Sequence, residues 1–190
     1  MTSILILGNG NMASAISEFL ARASVETKAV GRGEEWDASG FDAVLLAVPY
    51  TAHEHIIRDH SEALAGKIII DISNPVTFDP LARVRAPQGS AAAALAEALP
   101  DSRIVKAFNT NYAGHLKAAS IDDQPLTVLA SSDDRDAAAF VLDMASRAGA
   151  ETFDVGTLDR AEAQEALCYL QMAITFSEAN ATEGGFVFIG

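Results

Sequence analysis

A single cysteine, Cys168, is the only thiol in this 190-residue chain. One thiol cannot close an internal disulfide or build a multi-thiolate metal site, and chemistry by a cysteine pair is excluded, which suits a reducing cytoplasm. Positive charge is scarce too: 13 Lys and Arg stand against 26 Asp and Glu, a net charge of −13. Repulsion at long range makes nucleic acid and anionic membrane poor partners. No window reaches 18 uninterrupted apolar residues, and MTSILILGNGNMA has no basic stretch ahead of its short apolar run. Neither a membrane span nor a signal peptide is expected. Only 6 prolines interrupt a composition that is 49% hydrophobic, enough apolar material for a packed core, so global disorder is excluded. The expectation is one soluble, cytoplasmic domain over residues 1–190.

What the chain does contain is an alternation of short apolar runs with helical stripes. Residues 4–7 form a continuous, partly β-branched run that reads as a strand buried on both faces. Met12, Ala15, Ile16, Phe19 and Leu20 then recur at helical spacing from about Gly10. Further strands are expected over 28–31, 43–48, 67–71, 103–108, 126–130 and 151–155. His53, Ile56, Ile57 and Leu64 mark a second helix, and Ser90 should cap an alanine-rich third helix reaching Leu99. Residues 77–89 read as irregular crossover. Ala138, Val141, Leu142 and Ala145 stripe another helix ending near Gly149, and one long helix is expected from 159 to about 181. Leu167, Leu170, Met172, Ile174 and Phe176 leave that last helix more apolar than a solvent-backed one, so it should pack on a second surface, and a homodimer is expected. The sum is an α/β fold: a Rossmann-type, mostly parallel sheet with helices on both faces and a C-terminal helical segment and tail over 157–190.

Gly8-Asn9-Gly10-Asn11-Met12-Ala13 fits G-x-G-x-x-A between the buried strand and the helix, the context in which that pattern has meaning. Gly8 would permit the tight turn, Gly10 would let backbone approach a pyrophosphate, and Ala13 would let helix and strand come close. The bland reading is a glycine-rich helix start with no ligand. The second strand ends in Val30-Gly31-Arg32-Gly33, where the planar fork of Arg32 could pair with a 2′-phosphate, with Glu34 and Glu35 close by. That favours NADP(H) over NAD. The strand ends Val48-Pro49-Tyr50 and Ser73-Asn74-Pro75 should face the reactive half of the cofactor, with Asn74 donating and Tyr50 covering a ring face.

Taken together these residues resemble the NADPH-dependent F420 reductase family, the coenzyme F420-dependent NADP oxidoreductases. The likeness runs through ILGNGNMASAI, AVGR, DAVLLAVPY, GKIIIDISNP, GSAAAALAEALPDSRIVKAFNT, LASSDD and AGAETFDVGTL to the tail Gly184-Gly185-Phe186-Val187-Phe188. It implies that Asn9 and Arg32 bind around the 2′-phosphate and that Val48, Pro49, Tyr50, Asn74 and Pro75 line the nicotinamide end. The acceptor would approach Phe108, Asn109, Thr110 and Asn111, with the tail closing the pocket. In the family a His stands where this chain has Asn109, and basic residues are commoner where it has Asp159 and Glu162.

Hydride transfer between two cofactor rings needs close stacking and exclusion of water rather than a catalytic triad. No certain catalytic residue is expected, and Asn109, Tyr50 and Phe108 are the acceptor-positioning candidates, Asn109 by donating to a ring carbonyl. The acceptor is read as F420, FMN, FAD or another small oxidised molecule such as a quinone. A non-catalytic NADP(H)-binding redox sensor is the rival from outside enzymology. His53, His55 and His60 lie on one helix at spacings poor for a metal and read as a solvated face; His115 reads as a surface helix-start residue and Cys168 as core.

Overall fold

The computed structural model describes residues 1–177 and 184–190. In chain order its strands are β1 (Ser3–Leu7), β2 (Glu26–Val30), β3 (Ala43–Leu46), β4 (Ile68–Asp71), β5 (Val76–Phe78), β6 (Leu81–Arg83), β7 (Arg103–Ala107), β8 (Ser120–Ile121), β9 (Gln124–Pro125), β10 (Thr127–Ser131) and β11 (Glu151–Gly156). The helices are α1 (Asn11–Ala21), α2 (His53–Leu64), α3 (Ala91–Ala98), α4 (Ala113–Ala118), α5 (Arg135–Arg147) and α6 (Ala161–Thr175). Seven strands make one sheet in the order β11-β10-β7-β4-β3-β1-β2. Its neighbours are parallel except β7 and β10, which meet antiparallel through Ala107↔Ala130 and Lys106↔Ser131.

The continuous apolar runs are explained by burial of both faces. Ile4 and Ile6 pack with Ile16, Phe19, Val141 and Met144 under α1, α4 and α5. Leu5 and Leu7 point the other way, with Val44, Leu46, Leu64, Leu95 and Ala161 under α2, α3 and α6. Alternate residues of one strand thus feed two cores. The chain leaves β1 for β2 on one side and for β3 on the other, so a crevice opens beyond the carboxyl end of β1, where α/β sheets take their ligands. Because β10 runs against β7, its first residues return to that same end.

Local chemistry fixes the helix starts. Ser90 Oγ accepts from the Ala93 N–H at 3.0 Å, and the Asp134 carboxylate accepts from Ala137 N–H at 2.8 Å. Several sequence boundaries move. The expected crossover over 77–89 holds the antiparallel hairpin β5–β6, and the 43–48 strand stops at Leu46. Residues 113–118, where the sequence offered only His115 as a helix-start residue, are a helix. The long last helix begins after a 3₁₀ turn at Leu158–Arg160 and closes at Thr175, where Phe176 N–H donates to Met172 and Ser177 N–H to Ile174. Its expected continuation to 181 runs into residues outside the described ones. Among the described residues no helix is long and apolar enough to cross a membrane.

Candidate functional site

The turn after β1 is built as its glycines require. Gly8 has φ +119°, and a Cβ there would lie 2.2 Å from the Ala47 carbonyl oxygen, so the position admits no side chain. Its N–H donates to Val30 at 2.8 Å and ties β1 to the end of β2. Gly10 is the N-cap of α1 with extended backbone, and a Cβ there would meet no protein atom within 4 Å. Protein packing therefore does not demand the second glycine. The open space lies over the first turn of α1, whose N–H groups lack partners within the helix and attract an anion. Ala13 is buried in the core under the sheet, as close helix–strand packing needs.

Asn9, Gly10 and Asn11 are exposed. A side chain at Gly31 would come within 2.6 Å of Asn9 Nδ2 and 3.1 Å of Glu34 Oε1, so Asn9 and Glu34 share the end of β2 with the exposed Arg32. That puts one cation and one carboxylate at the place where a ribose or its phosphate would lie.

A cavity of about 460 Å³ opens beside this turn. Asn11 and Met12 of α1 form one wall, and Ile72, Asn74 and Phe78 follow from β4 and the hairpin. Asn109, Thr110, Asn111 and Tyr112 come from the β7–α4 loop, and Cys168, Met172 and Phe176 from α6 and its end. Among the described residues the lining carries no charged side chain. Asn74 Nδ2 donates to the Asn109 carbonyl oxygen and accepts, through Oδ1, from Asn109 Nδ2, both at 3.0 Å, which locks the two loops together.

The structure sorts the sequence candidates. It brings Asn11, Met12, Asn74 and Asn109 into one cavity, with Thr110 and Asn111. Phe108 is not among them: at φ +59°, rare for a bulky residue, its ring turns into the core and meets Phe19 edge-on at 6.3 Å. Asn109 differs from its expected use as a donor, since its Nδ2 is committed to Asn74 and the atom left without a partner is Oδ1. Val48, Pro49, Tyr50 and Pro75 lie on the neighbouring strand ends but outside the cavity lining. Cys168 is buried as expected, with its thiol pushed up to about 12 by burial, and so no nucleophile. Tail residues 184–190 pack beside α4 and β10: Gly185 lies against Ile121 and His115, Phe188 N–H donates to Thr127 Oγ1 at 2.9 Å, and Phe188 meets Phe153.

One group was missed in the sequence. Lys106 Nζ, fully buried, donates to Asp71 Oδ2 at 2.9 Å, to Glu165 Oε1 at 2.8 Å and to the Ser73 carbonyl. Glu165 Oε1 also accepts from Ala91 N–H at 2.9 Å, and His53 Nε2 lies 3.6 Å from Asp71 Oδ1. Strand β7, α2, the start of α3 and α6 converge here on the end of β4, directly behind Ile72 and Cys168 of the cavity wall. Burial alone would raise the Asp71 carboxyl, but the Lys106 charge and the His53 and Ser73 contacts outweigh it and hold it low. Burial opposes the charge on Lys106, yet two carboxylates raise its affinity for a proton above the ordinary value. Glu165 is raised, because burial outweighs its ion pair. His53 is not the solvated residue its helix suggested. It is buried, and burial lowers its proton affinity despite Asp71. His60 stacks on Trp36 at 4.6 Å, and no cluster among the described residues is arranged to hold a metal ion.

The doubly covered, mostly parallel sheet, with its glycine turn at the point where strand order reverses, is a Rossmann-type α/β fold. No protein-family model matches the chain. Pairwise comparison does give relatives. The F420-dependent NADP reductase of Methanocaldococcus jannaschii is 26% identical over 168 residues, covering 85% of this chain and 74% of the relative. The metalloreductase STEAP3 of Rattus norvegicus is 28% identical over 177 residues, of which this chain spans only 35% of the relative's length. Among solved structures, one from Arthrobacter sp. FB24 assigned as an F420-dependent NADP reductase superposes with a TM-score of 0.81, at 20% identity, over 94% of this chain and 95% of the other. The hypothetical protein SMa0349 of Sinorhizobium meliloti gives 0.70 at 27% identity, over 84% and 87%. Over most of its length the chain is thus similar to proteins named F420-dependent NADP reductase.

Proposed function

We propose that the protein is an NADP(H)-dependent oxidoreductase that moves a hydride between nicotinamide and a flavin-like acceptor, F420 or a flavin. The observation that carries this reading is a shared helix end: the first turn of α1 offers its N–H groups beneath the open space at Gly10, and the same turn supplies Asn11 and Met12 to the cavity. A diphosphate on those amides delivers an attached ring to that cavity, because both meet at the first turn of α1. When bound, the dihydronicotinamide supplies the hydride. Asn9 and Arg32 then hold the 2′-phosphate end; Asn74 and Asn109 fix the loop walls; Ile72, Met12 and Met172 exclude water from the stacked rings. The relatives named as NADP reductases agree with this reading.

Leu170, Ile174 and Phe176 on or just after α6, with Phe78 of the hairpin, leave a mainly apolar, exposed patch beside the cavity mouth. We assign to it the contact of a homodimer. The function is tested by titrating the purified protein with NADPH and NADH while following nicotinamide fluorescence, then adding F420, FMN, FAD or a quinone. Tight NADPH binding followed by oxidation with a flavin or F420 is expected. Binding without turnover on any acceptor would instead indicate a redox sensor.

A further inference from the structure

The cluster behind the cavity wall does not balance its charges. Two carboxylates, Asp71 and Glu165, face one ammonium, Lys106, and all three are buried. Asp71 is well partnered: Oδ2 accepts from Lys106 Nζ, Oδ1 accepts from the Ser73 N–H at 2.9 Å, and His53 Nε2 stands 3.6 Å away. Glu165 is lopsided. Its Oε1 accepts from both Lys106 Nζ and the Ala91 N–H, whereas its Oε2 is sealed from water and has no donor. A carboxylate oxygen left bare in the interior is costly, so the group needs one proton beyond those on Lys106. Glu165 and His53 compete for it, and burial, which lowers the proton affinity of His53 and raises that of Glu165, gives it to Glu165. Among the described residues the other titratable neighbours are few. Tyr50, in the 3₁₀ turn before α2, meets His53 edge-on at 5.6 Å, and its phenol is raised by burial and by Glu165. Glu162, one turn before Glu165 on α6, is exposed and pairs with Arg83 at 3.6 Å, while α3 contributes the Ala91 N–H. Cys168, one turn after Glu165, lines the cavity, and its thiol feels the charges of both Lys106 and Glu165. The cluster is therefore within electrostatic reach of whatever fills the cavity.

We propose that this cluster is a proton site linked to the redox state of the ring in the cavity: Glu165 holds a proton beside neutral dihydronicotinamide and releases it to solvent when the ring is the nicotinamide cation. The inference rests on the NADP(H) reading and goes beyond it. Loss of hydride turns an uncharged ring into a cation, and a carboxylate behind a water-free wall stabilises that cation. Linkage makes the effect reciprocal, so the oxidised cofactor favours the ionised carboxyl as much as the ionised carboxyl favours the oxidised cofactor. Glu165 acts through its charge alone. No atom passes between it and the ring, and its proton exchanges with water during local openings.

The test is the ratio of the dissociation constants for NADPH and NADP+, measured by calorimetry between pH 5 and 8. The 2′-phosphate is common to both forms and cancels in the ratio. Because the ionised carboxyl favours the cation, NADP+ should gain on NADPH as the pH rises, by roughly fivefold or more across the range. Glu165→Gln, which cannot ionise, should flatten the ratio. Infrared difference spectra of the parent should show the carbonyl stretch of a protonated carboxyl disappear when NADP+ replaces NADPH. A ratio in the parent that does not change with pH overturns the inference and leaves NADP(H) binding standing, whereas no binding of either nucleotide overturns both. A folded Glu165→Gln protein whose ratio still follows pH as the parent's does also overturns it. Should that variant fail to fold, the infrared band on the parent decides: its persistence in the NADP+ complex, or its absence from the NADPH complex, overturns the inference.

Discussion

Lys106 Nζ and Glu165 Oε1 meet at 2.8 Å with neither side chain more than 1% exposed, and this contact joins the centre of the sheet to the helix that brings Cys168 and Met172 to the cavity. Removing the cation strands the Asp71 carboxylate. Lys106→Met is expected to lower stability by about 3–5 kcal/mol in urea unfolding, the cost typical of breaking a buried pair. Glu165→Gln keeps an acceptor for Lys106 and leaves Lys106 and Asp71 balanced, so it should stay within about 1 kcal/mol of the parent. Equal losses in the two variants would contradict this division of roles.

His53 makes stability depend on pH in a defined direction. Its folded-state proton affinity is lowered by burial, with Asp71 opposing and Lys106 adding to the effect, so the unfolded chain takes up the proton first as pH falls below 6.5. Stability contributed by neutral His53 is complete above 6.5 and is lost progressively as the pH drops toward the depressed folded value. Glu165 acts in the opposite sense, favouring the fold on the acid side, because its folded value is raised. Melting temperatures of the parent and His53→Gln, measured from pH 5 to 7.5, should converge at the acid end. A constant difference across that range would show that His53 does not titrate.

The two glycines of the turn should separate fold from binding. Gly8→Ala forces a side chain onto the Ala47 carbonyl at a positive φ, and should cost more than about 2 kcal/mol or prevent folding. Gly10→Ala meets no protein atom, so its stability loss should stay near the roughly 1 kcal/mol typical of an altered N-cap, while NADPH affinity falls about tenfold or more. Unchanged affinity in a folded Gly10→Ala protein would remove the diphosphate from this turn.

Arg32 is exposed just beyond β2, beside Asn9 and Glu34. Arg32→Ala should weaken NADPH by about tenfold and leave NADH nearly unchanged, since only the 2′-phosphate meets the guanidinium. The two affinities are to be measured in the same buffer, because exposed charge contacts weaken with salt. A parallel loss for both nucleotides would place Arg32 elsewhere in recognition.

Much of the architecture was legible from periodicity. The run at 4–7, the glycine turn and the stripe Ile16, Phe19, Leu20 specify strand, turn and helix locally, and Ser90 marks its own helix start through a hydrogen bond three residues away. Asn11, Met12, Asn74 and Asn109 stood out in the sequence because strand ends and a glycine motif announce them, and all four line one cavity. The helix at 113–118 showed in the sequence only as a helix start at His115, because it is six residues long with one buried side chain, Leu116. Phe108 misled for a related reason: at a strand end a single left-handed residue reverses which way the ring points, and the letters on either side do not encode it.

The amino-acid order by itself determined the layered α/β design, through apolar runs that bury two faces and a glycine, Gly8, at a positive φ that side-chain-bearing residues rarely adopt. Only tertiary structure decided that Asp71 and Lys106, 35 positions apart and paired in register across β4 and β7, would share one face with Glu165, and that the amides of Asn109, Asn111 and Gln171 would all spend a donor and keep an oxygen. Pattern within a segment reports how that segment meets water. Which charges neutralise one another, and which polar atoms are left bare, depends on partners brought together from distant segments once the sheet has formed.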